Sequence, residues 1–214
     1  MIVFTGSTEK GKLVAQSAAR NLVPCVLELG GKSPAIIDET ANASLAAKKV
    51  LFGKMPNLGQ VCISPDYVLC HKSKLNDFVD ALKKNIVESY KDCISPEDSG
   101  KIVNEFHYKR LCNLLKDHGG EVVHGDKDAA TNFNLKPTIV INPRKDCQLM
   151  KEEIFGPIFP ILTYTDIKEA VSYISEEQEK PLVVYYFGKT NNKNQKIIES
   201  QTSSGTFVVN DTIY

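Results

Sequence analysis

Cys62 ends the segment Asn57-Leu58-Gly59-Gln60-Val61-Cys62, in the connection between a helical stretch and the strand that starts at Tyr67. A cysteine delivered by a glycine-containing loop can sit exposed beside backbone N–H groups, which lower the pKa of a thiol and stabilise an oxyanion. That points to nucleophilic chemistry; the plainer alternative is a small buried hydrophobe, the usual state of a free cysteine. Glu28 lies at the end of an apolar strand, just before Gly30-Gly31-Lys32-Ser33-Pro34. Burial there would raise its pKa and make it a candidate general base, whereas pairing with Lys32 or solvation at the strand tip would make it ordinary. Phe4-Thr5-Gly6-Ser7-Thr8-Glu9-Lys10-Gly11 reads as a strand, a glycine turn and a helix start. Unpaired N–H groups at the positive end of a helix dipole bind phosphate, although Ser7 or Thr8 acting as an N-cap explains the same residues. The glycines at 6 and 11 do not form a GxGxxG fingerprint. The fourth segment, Glu152-Glu153-Ile154-Phe155-Gly156-Pro157, is a loop entering a strand at Ile158, with its acids in water on the plainest reading.

The elements that must position these residues alternate between strand and helix. Ile2 to Thr5 is a short apolar strand, and Glu9 to Leu22 a helix with Leu13, Val14, Ser17, Ala18 and Leu22 on one face. Pro24 breaks it. Strands follow at Val26–Leu29 and Ala35–Ile37, a helix at Ser44–Phe52, and a strand at Tyr67–Cys70. Ser73 is positioned to cap the clearest helix, in which Leu75, Phe78, Val79, Leu82, Ile86 and Tyr90 recur at helical spacing. A helix around Tyr108 to Leu115 stops at Gly119-Gly120. Strands at Val122-Val123, Thr138–Ile141, Ile158–Tyr164, Leu182–Phe187 and Thr206–Val209, with helices at Ile167–Ser175 and Asn191–Gln201, complete an α/β pattern around a mainly parallel, covered sheet. The strand at Ile2 reads as a lone edge whose neighbours lie elsewhere, because a parallel strand needs partners and cover. The chain is therefore expected to start inside a longer fold.

Composition narrows the classes. Hydrophobic residues make up 42% of the 214, and 26 basic residues balance 26 acidic ones. Zero net charge removes the usual electrostatic argument for a nucleic-acid or membrane partner. No apolar run reaches bilayer length, and the start lacks the charged and apolar regions of a signal peptide. The six cysteines, Cys25, Cys62, Cys70, Cys93, Cys112 and Cys147, contain no CxxC pair, and no histidine cluster offers metal-ligand spacing. Reduced thiols and a cytoplasmic location are expected, with no metal site.

The order of the segments is more specific than any one of them. FTGSTEKG, LELGGKSP, NLGQVC, SPDY, KPTIV, EEIFGPI, EKPLVVYYF and TSSGTFVVND together resemble the aldehyde dehydrogenase superfamily, closest to its class 3 branch of fatty and aromatic aldehyde dehydrogenases. The resemblance runs across nearly all of the chain, and Cys62 follows Glu28 by 34 residues, the family's spacing between nucleophile and base.

The resemblance implies a reaction: oxidation of an aldehyde to a carboxylic acid with NAD or NADP. By position, Cys62 is the nucleophile that forms a thiohemiacetal and then a thioester, and Glu28 the base that activates the hydrolytic water. Glu153 matches the residue that bonds the nicotinamide ribose, and Phe155 the aromatic beside it. Gly6, Ser7 and Gly11 match the turn and helix start that face the pyrophosphate. Residues 1–27 are then a remnant of the NAD(P)-binding domain and 28–214 the catalytic domain. The family's oxyanion asparagine and adenosine-ribose lysine would precede Ile2, and its C-terminal dimer strand would follow Tyr214. The parent enzyme is expected to be a homodimer, with the 214 residues alone inactive. Met55-Pro56 departs from the family's two bulky apolar residues. A non-enzymatic scaffold or partner-binding domain derived from the same family is the alternative.

Overall fold

The computed structural model describes residues 1–90, 100–125, 133–176 and 180–213. Cys93 lies outside the described residues. The chain runs β1 (Ile2–Gly6), α1 (Thr8–Arg20), β2 (Cys25–Leu29), β3 (Pro34–Ile37), α2 (Ala43–Lys54), β4 (Tyr67–His71) and α3 (Leu75–Tyr90). It continues through α4 (Glu105–Leu114), β5 (Glu121–His124), β6 (Thr138–Ile141), α5 (Gln148–Lys151) and β7 (Ile158–Tyr164). The last elements are α6 (Ile167–Glu176), β8 (Val183–Phe187), α7 (Lys193–Gln201) and β9 (Thr206–Val209).

These strands form two sheets. A large one has the order β5-β6-β7-β4-β3-β8-β9, and a small one pairs β1 with β2. All neighbours are parallel except β5 and β6, so the expected α/β class with a mainly parallel sheet holds. Central strands are buried on both faces: every residue of β3 and of β8 is buried. Helical cover on both sides of a parallel sheet requires such continuous apolar runs. From α3, Phe78, Leu82 and Ile86 are fully buried, each contributing roughly 1.5–3 kcal/mol by leaving water.

Three details differ from the sequence reading. β1 is not alone, since β2 pairs with it in register from Ile2↔Cys25 to Gly6↔Leu29. α1 buries only part of the expected face: Ala18 is buried and Val14 half-buried, but Leu13 and Leu22 are 56% and 92% exposed, and Gly11 is buried as well. Small residues let the helix lie close to β2, where a Cβ at Gly11 would come within 2.6 Å of the Leu29 side chain. Ser73 does not cap α3. It lies in a short 3₁₀ turn ahead of that helix, where the His71 ring accepts its N–H.

Candidate active site

The connectivity brings the four segments together. Three loops enter three neighbouring strands at their amino ends: residues 30–33 lead into β3, residues 60–66 into β4 and residues 152–157 into β7. Parallel register fixes their level, with Pro34 opposite Tyr67 and Val68 opposite Ile161. In the small sheet Thr5 pairs with Glu28 and Gly6 with Leu29, so the glycine turn and Glu28 reach the same carboxyl end. Only residues 30–33 separate that end from β3. Glu28 and the Gly6 turn therefore lie at the carboxyl end of the small sheet, Cys62 and Glu153 lie on loops at the amino end of the large one, and residues 30–33 join the two ends. Carboxyl ends of parallel strands are where open α/β sheets bind ligands.

A buried ion pair ties the three loops to one another. Lys32 pairs with Asp66, the two side chains being 6% and 4% exposed. Lys32 Nζ also donates to the Glu152 carbonyl at 2.7 Å, and Asp66 Oδ2 accepts the Ile154 N–H at 2.8 Å. The Asp66 N–H in turn donates to the Ser33 carbonyl at 2.7 Å. Lys32 is thus engaged with Asp66 and with the carbonyls of Leu149 and Glu152, and among the described residues makes no bond to Glu28. Glu28 itself is exposed, so of the alternatives the sequence left open the structure shows the solvated strand tip and not the buried carboxylate.

Cys62 is exposed, as its loop position suggested. The loop before it is unusual: Asn57, Leu58 and Gly59 have φ of 50°, 54° and 75°, three successive left-handed residues. Left-handed backbone costs about 1–2 kcal/mol at a residue such as leucine, so the surroundings must hold it. Gln60 does much of that. Its side chain donates to the carbonyls of Asn57 and Lys101 and accepts the Val103 N–H. Gly59 is needed for space as well, because a Cβ there would lie 2.6 Å from the Gly156 carbonyl oxygen. On the other side of Cys62, the Tyr185 hydroxyl donates to the Ile63 carbonyl at 2.6 Å. Burial pushes that phenol up to about 12.

Glu153 is half-buried, and its Oε1 accepts the Gly31 N–H at 3.2 Å. A Cβ at Gly30 would collide with the Glu153 carboxylate, so the first glycine of the pair makes room for it. Burial raises the Glu153 pKa, the Gly31 N–H opposes that, and nearby Asp66 adds to it. Phe155 is 36% exposed with φ 49°, another left-handed non-glycine residue. Around the turn, Ser7 is the exposed N-cap of α1 and makes no side-chain capping bond. Gly6 is half-buried, and the Gly11 N–H donates to the Ser7 carbonyl at 2.9 Å. Lys54 is 1% exposed and among the described residues donates to the Asp66 carbonyl alone, at 3.4 Å; burial lowers its pKa to about 8. Among the described residues no group of His, Cys, Asp and Glu could hold a metal, and no helix is long and apolar enough to cross a membrane.

The sequence profile of the aldehyde dehydrogenase family matches residues 1–214. The chain belongs to the aldehyde dehydrogenase family. It is 43% identical over 213 residues to the 4,4'-diaponeurosporen-aldehyde dehydrogenase of Staphylococcus aureus, covering 99% of this chain and 46% of that protein. Against the dimeric NADP-preferring aldehyde dehydrogenase of Canis lupus familiaris it is 40% identical, covering 99% and 46%. Substrate-bound Staphylococcus aureus AldH superimposes with a TM-score of 0.88 at 42% identity, covering 99% of this chain and 46% of that one. An NAD-dependent aldehyde dehydrogenase from Sinorhizobium meliloti gives 0.90 at 26% identity, covering 100% and 43%. This aldehyde dehydrogenase chain thus spans a little under half the length of these relatives.

Several residues that shape the site carried no signal in the reading of the motifs. Asp66 stands inside SPDY and Lys32 inside LELGGKSP, yet nothing local says that they pair. Tyr185 looks like any aromatic of a buried strand. Arg110, on α4, donates to the carbonyls of Glu153 and Ile154 and resembles a solvated charge between the apolar positions of an amphipathic helix.

Proposed function

We propose that this chain supplies the thiol, the base and half of the cofactor contacts for NAD(P)-dependent oxidation of an aldehyde to a carboxylic acid. The observation that carries the proposal is the convergence of exposed Cys62 with the loops of Glu28 and Glu153 at the junction of the two sheets. In this reading the Cys62 thiolate adds to the aldehyde carbon, forming a C–S bond and a thiohemiacetal oxyanion. N–H groups of the loop around Cys62 are the donors this chain offers to that oxygen. A nicotinamide held by Glu153 and Phe155 would supply the hydride acceptor that this chain lacks, leaving a thioester on Cys62. Glu28 then takes a proton from water as its oxygen attacks the thioester carbon; the C–S bond breaks, and the acid and the Cys62 thiolate leave. An exposed carboxylate suits this step, because water reaches it without rearrangement.

The residues present fit such a cofactor. Glu153 is an acceptor held at a fixed place by Gly31 and given room by Gly30, as a ribose diol requires. Phe155 presents an exposed ring beside it. Gly6 and Ser7 lead into α1 with no side-chain cap on its first turn, which leaves donors for a phosphate. Gly11 serves by drawing α1 onto β2. Residues 1–27 belong with the cofactor-binding part and 28–214 with the thiol-bearing part on this account. The test is reduced-cofactor formation by the enzyme that contains this chain, with NAD and NADP in parallel and a series of aldehydes. Absorbance growth that vanishes in Cys62→Ser supports the proposal. Undiminished turnover in that variant contradicts it.

A further inference from the structure

We propose that Arg110 is the positioning residue of the Glu153–Phe155 segment; the inference rests on the cofactor role given to Glu153 above. Arg110 projects from α4, is 21% exposed, and donates through one guanidinium nitrogen to the Glu153 carbonyl at 3.1 Å and through the other to the Ile154 carbonyl. Two acceptors on successive peptide units match the rigid fork of a guanidinium; a lysine ammonium is a point charge and lacks that geometry. The next residue of α4, Leu111, is fully buried and fills the space over Gly156, where a Cβ would lie 2.5 Å from Leu111 Cδ2. One helix therefore grips the loop on both sides of Phe155, the residue with φ 49°.

The opposite side of the loop is held by different groups. Lys32 takes the Glu152 carbonyl and Asp66 takes the Ile154 N–H. Among the described residues Arg110 makes no hydrogen bond or ion pair with Cys62 or Glu28; it also pairs with the Glu152 carboxylate at 3.7 Å. It acts on the site through the backbone it holds and, more weakly, through its charge, which lowers the Glu153 pKa; Arg110→Lys keeps the charge and loses the fork, and so separates the two. Releasing the carbonyls of Glu153 and Ile154 lets the strained turn at Phe155 relax toward right-handed or extended backbone. That swings the Glu153 carboxylate off the Gly31 N–H, the donor it accepts at 3.2 Å.

The experiment uses the ¹⁵N-labelled 214-residue chain as wild type, Arg110→Met, Arg110→Lys and Glu153→Gln. The first readout is amide exchange at Gly31, which Arg110 does not touch, against amides of α7 as the internal control. The second is binding of nicotinamide mononucleotide at millimolar concentration, followed by saturation-transfer NMR. In Arg110→Met, Gly31 exchange should rise about tenfold with α7 unchanged, the scale of losing one hydrogen bond to a charged group, and mononucleotide affinity should fall by a similar factor. Arg110→Lys should recover only part of both, and should Arg110→Met fail to fold, the Lys variant carries the same comparison. Unchanged Gly31 exchange, or an equal rise at Gly31 and α7, overturns the positioning role. Mononucleotide binding that is indifferent to Glu153→Gln overturns the cofactor role of Glu153 instead, and Gly31 exchange still decides the case of Arg110.

Discussion

Lys32 and Asp66 stand 34 residues apart and form an ion pair almost wholly removed from solvent. Through it the glycine-pair loop, the loop after Cys62 and the Glu152–Ile154 loop become one unit. Removing one partner of a buried pair leaves the other charge uncompensated, typically at a cost of about 3–5 kcal/mol. Lys32→Met should therefore destabilise the chain by that order in urea unfolding. A loss below about 1 kcal/mol would mean that water reaches Asp66 easily and that the pair does not organise the loops.

Lys54 has the opposite balance. It is buried with one long contact, and its pKa falls from 10.5 to about 8, which corresponds to about 3 kcal/mol against the charged form. Below pH 8 the lysine is charged in both folded and unfolded chains, and the whole penalty applies. Between pH 8 and 10.5 the unfolded chain holds the extra proton, so stability from this group rises with pH. Lys54→Met should thus stabilise the chain near pH 7, with the gain shrinking as pH approaches 10.5. Denaturation of both proteins across that range is the check, and a pH-independent difference would contradict the account.

Leu22 sits just past the C-cap of α1 with φ 53° and is 92% exposed. Its N–H donates to Ala19 and that of Val23 to Ala18, the closure that glycine usually makes. Leu22→Gly gives up little packing and relieves left-handed strain, so a gain of about 1 kcal/mol is expected. Thermal melting would show it as a raised midpoint; a lowered one would indicate that the leucine packs in solution.

Thiol accessibility separates Cys62 from the other described cysteines. Cys70 and Cys147 are buried, burial pushing the Cys70 thiol up to about 12, and Cys25 and Cys112 are half-buried. Brief substoichiometric iodoacetamide followed by peptide mapping should mark Cys62 first. Preferential labelling of Cys25, Cys70, Cys112 or Cys147 in folded protein would contradict the assignment.

The strands and most helices were legible because parallel, doubly covered strands print continuous apolar runs, as β3 and β8 do. The candidate site was legible as an ordered set of motifs, each at the end of a strand. Pairing across the fold was not. Lys32 looked like a partner for Glu28 by nearness in sequence, and only the register of β3 on β4 brings it to Asp66 instead. The antiparallel β5 was equally hidden, since a hairpin partner and a parallel edge carry the same short apolar run. Leu13 and Leu22 misled in the other direction, because α1 packs through its smallest residues.

The central claim is that Cys62 carries an acyl group which Glu28 helps water to remove. It is tested most directly by mixing the chain with a p-nitrophenyl ester, which acylates the thiolate without any hydride acceptor, and following intact mass with time. A single acyl adduct mapped to Cys62 in both wild type and Glu28→Gln, decaying at least ~10²-fold more slowly in the variant, is the expected result for a lost general base. An adduct on another residue, or one that decays equally fast in both proteins, would contradict it.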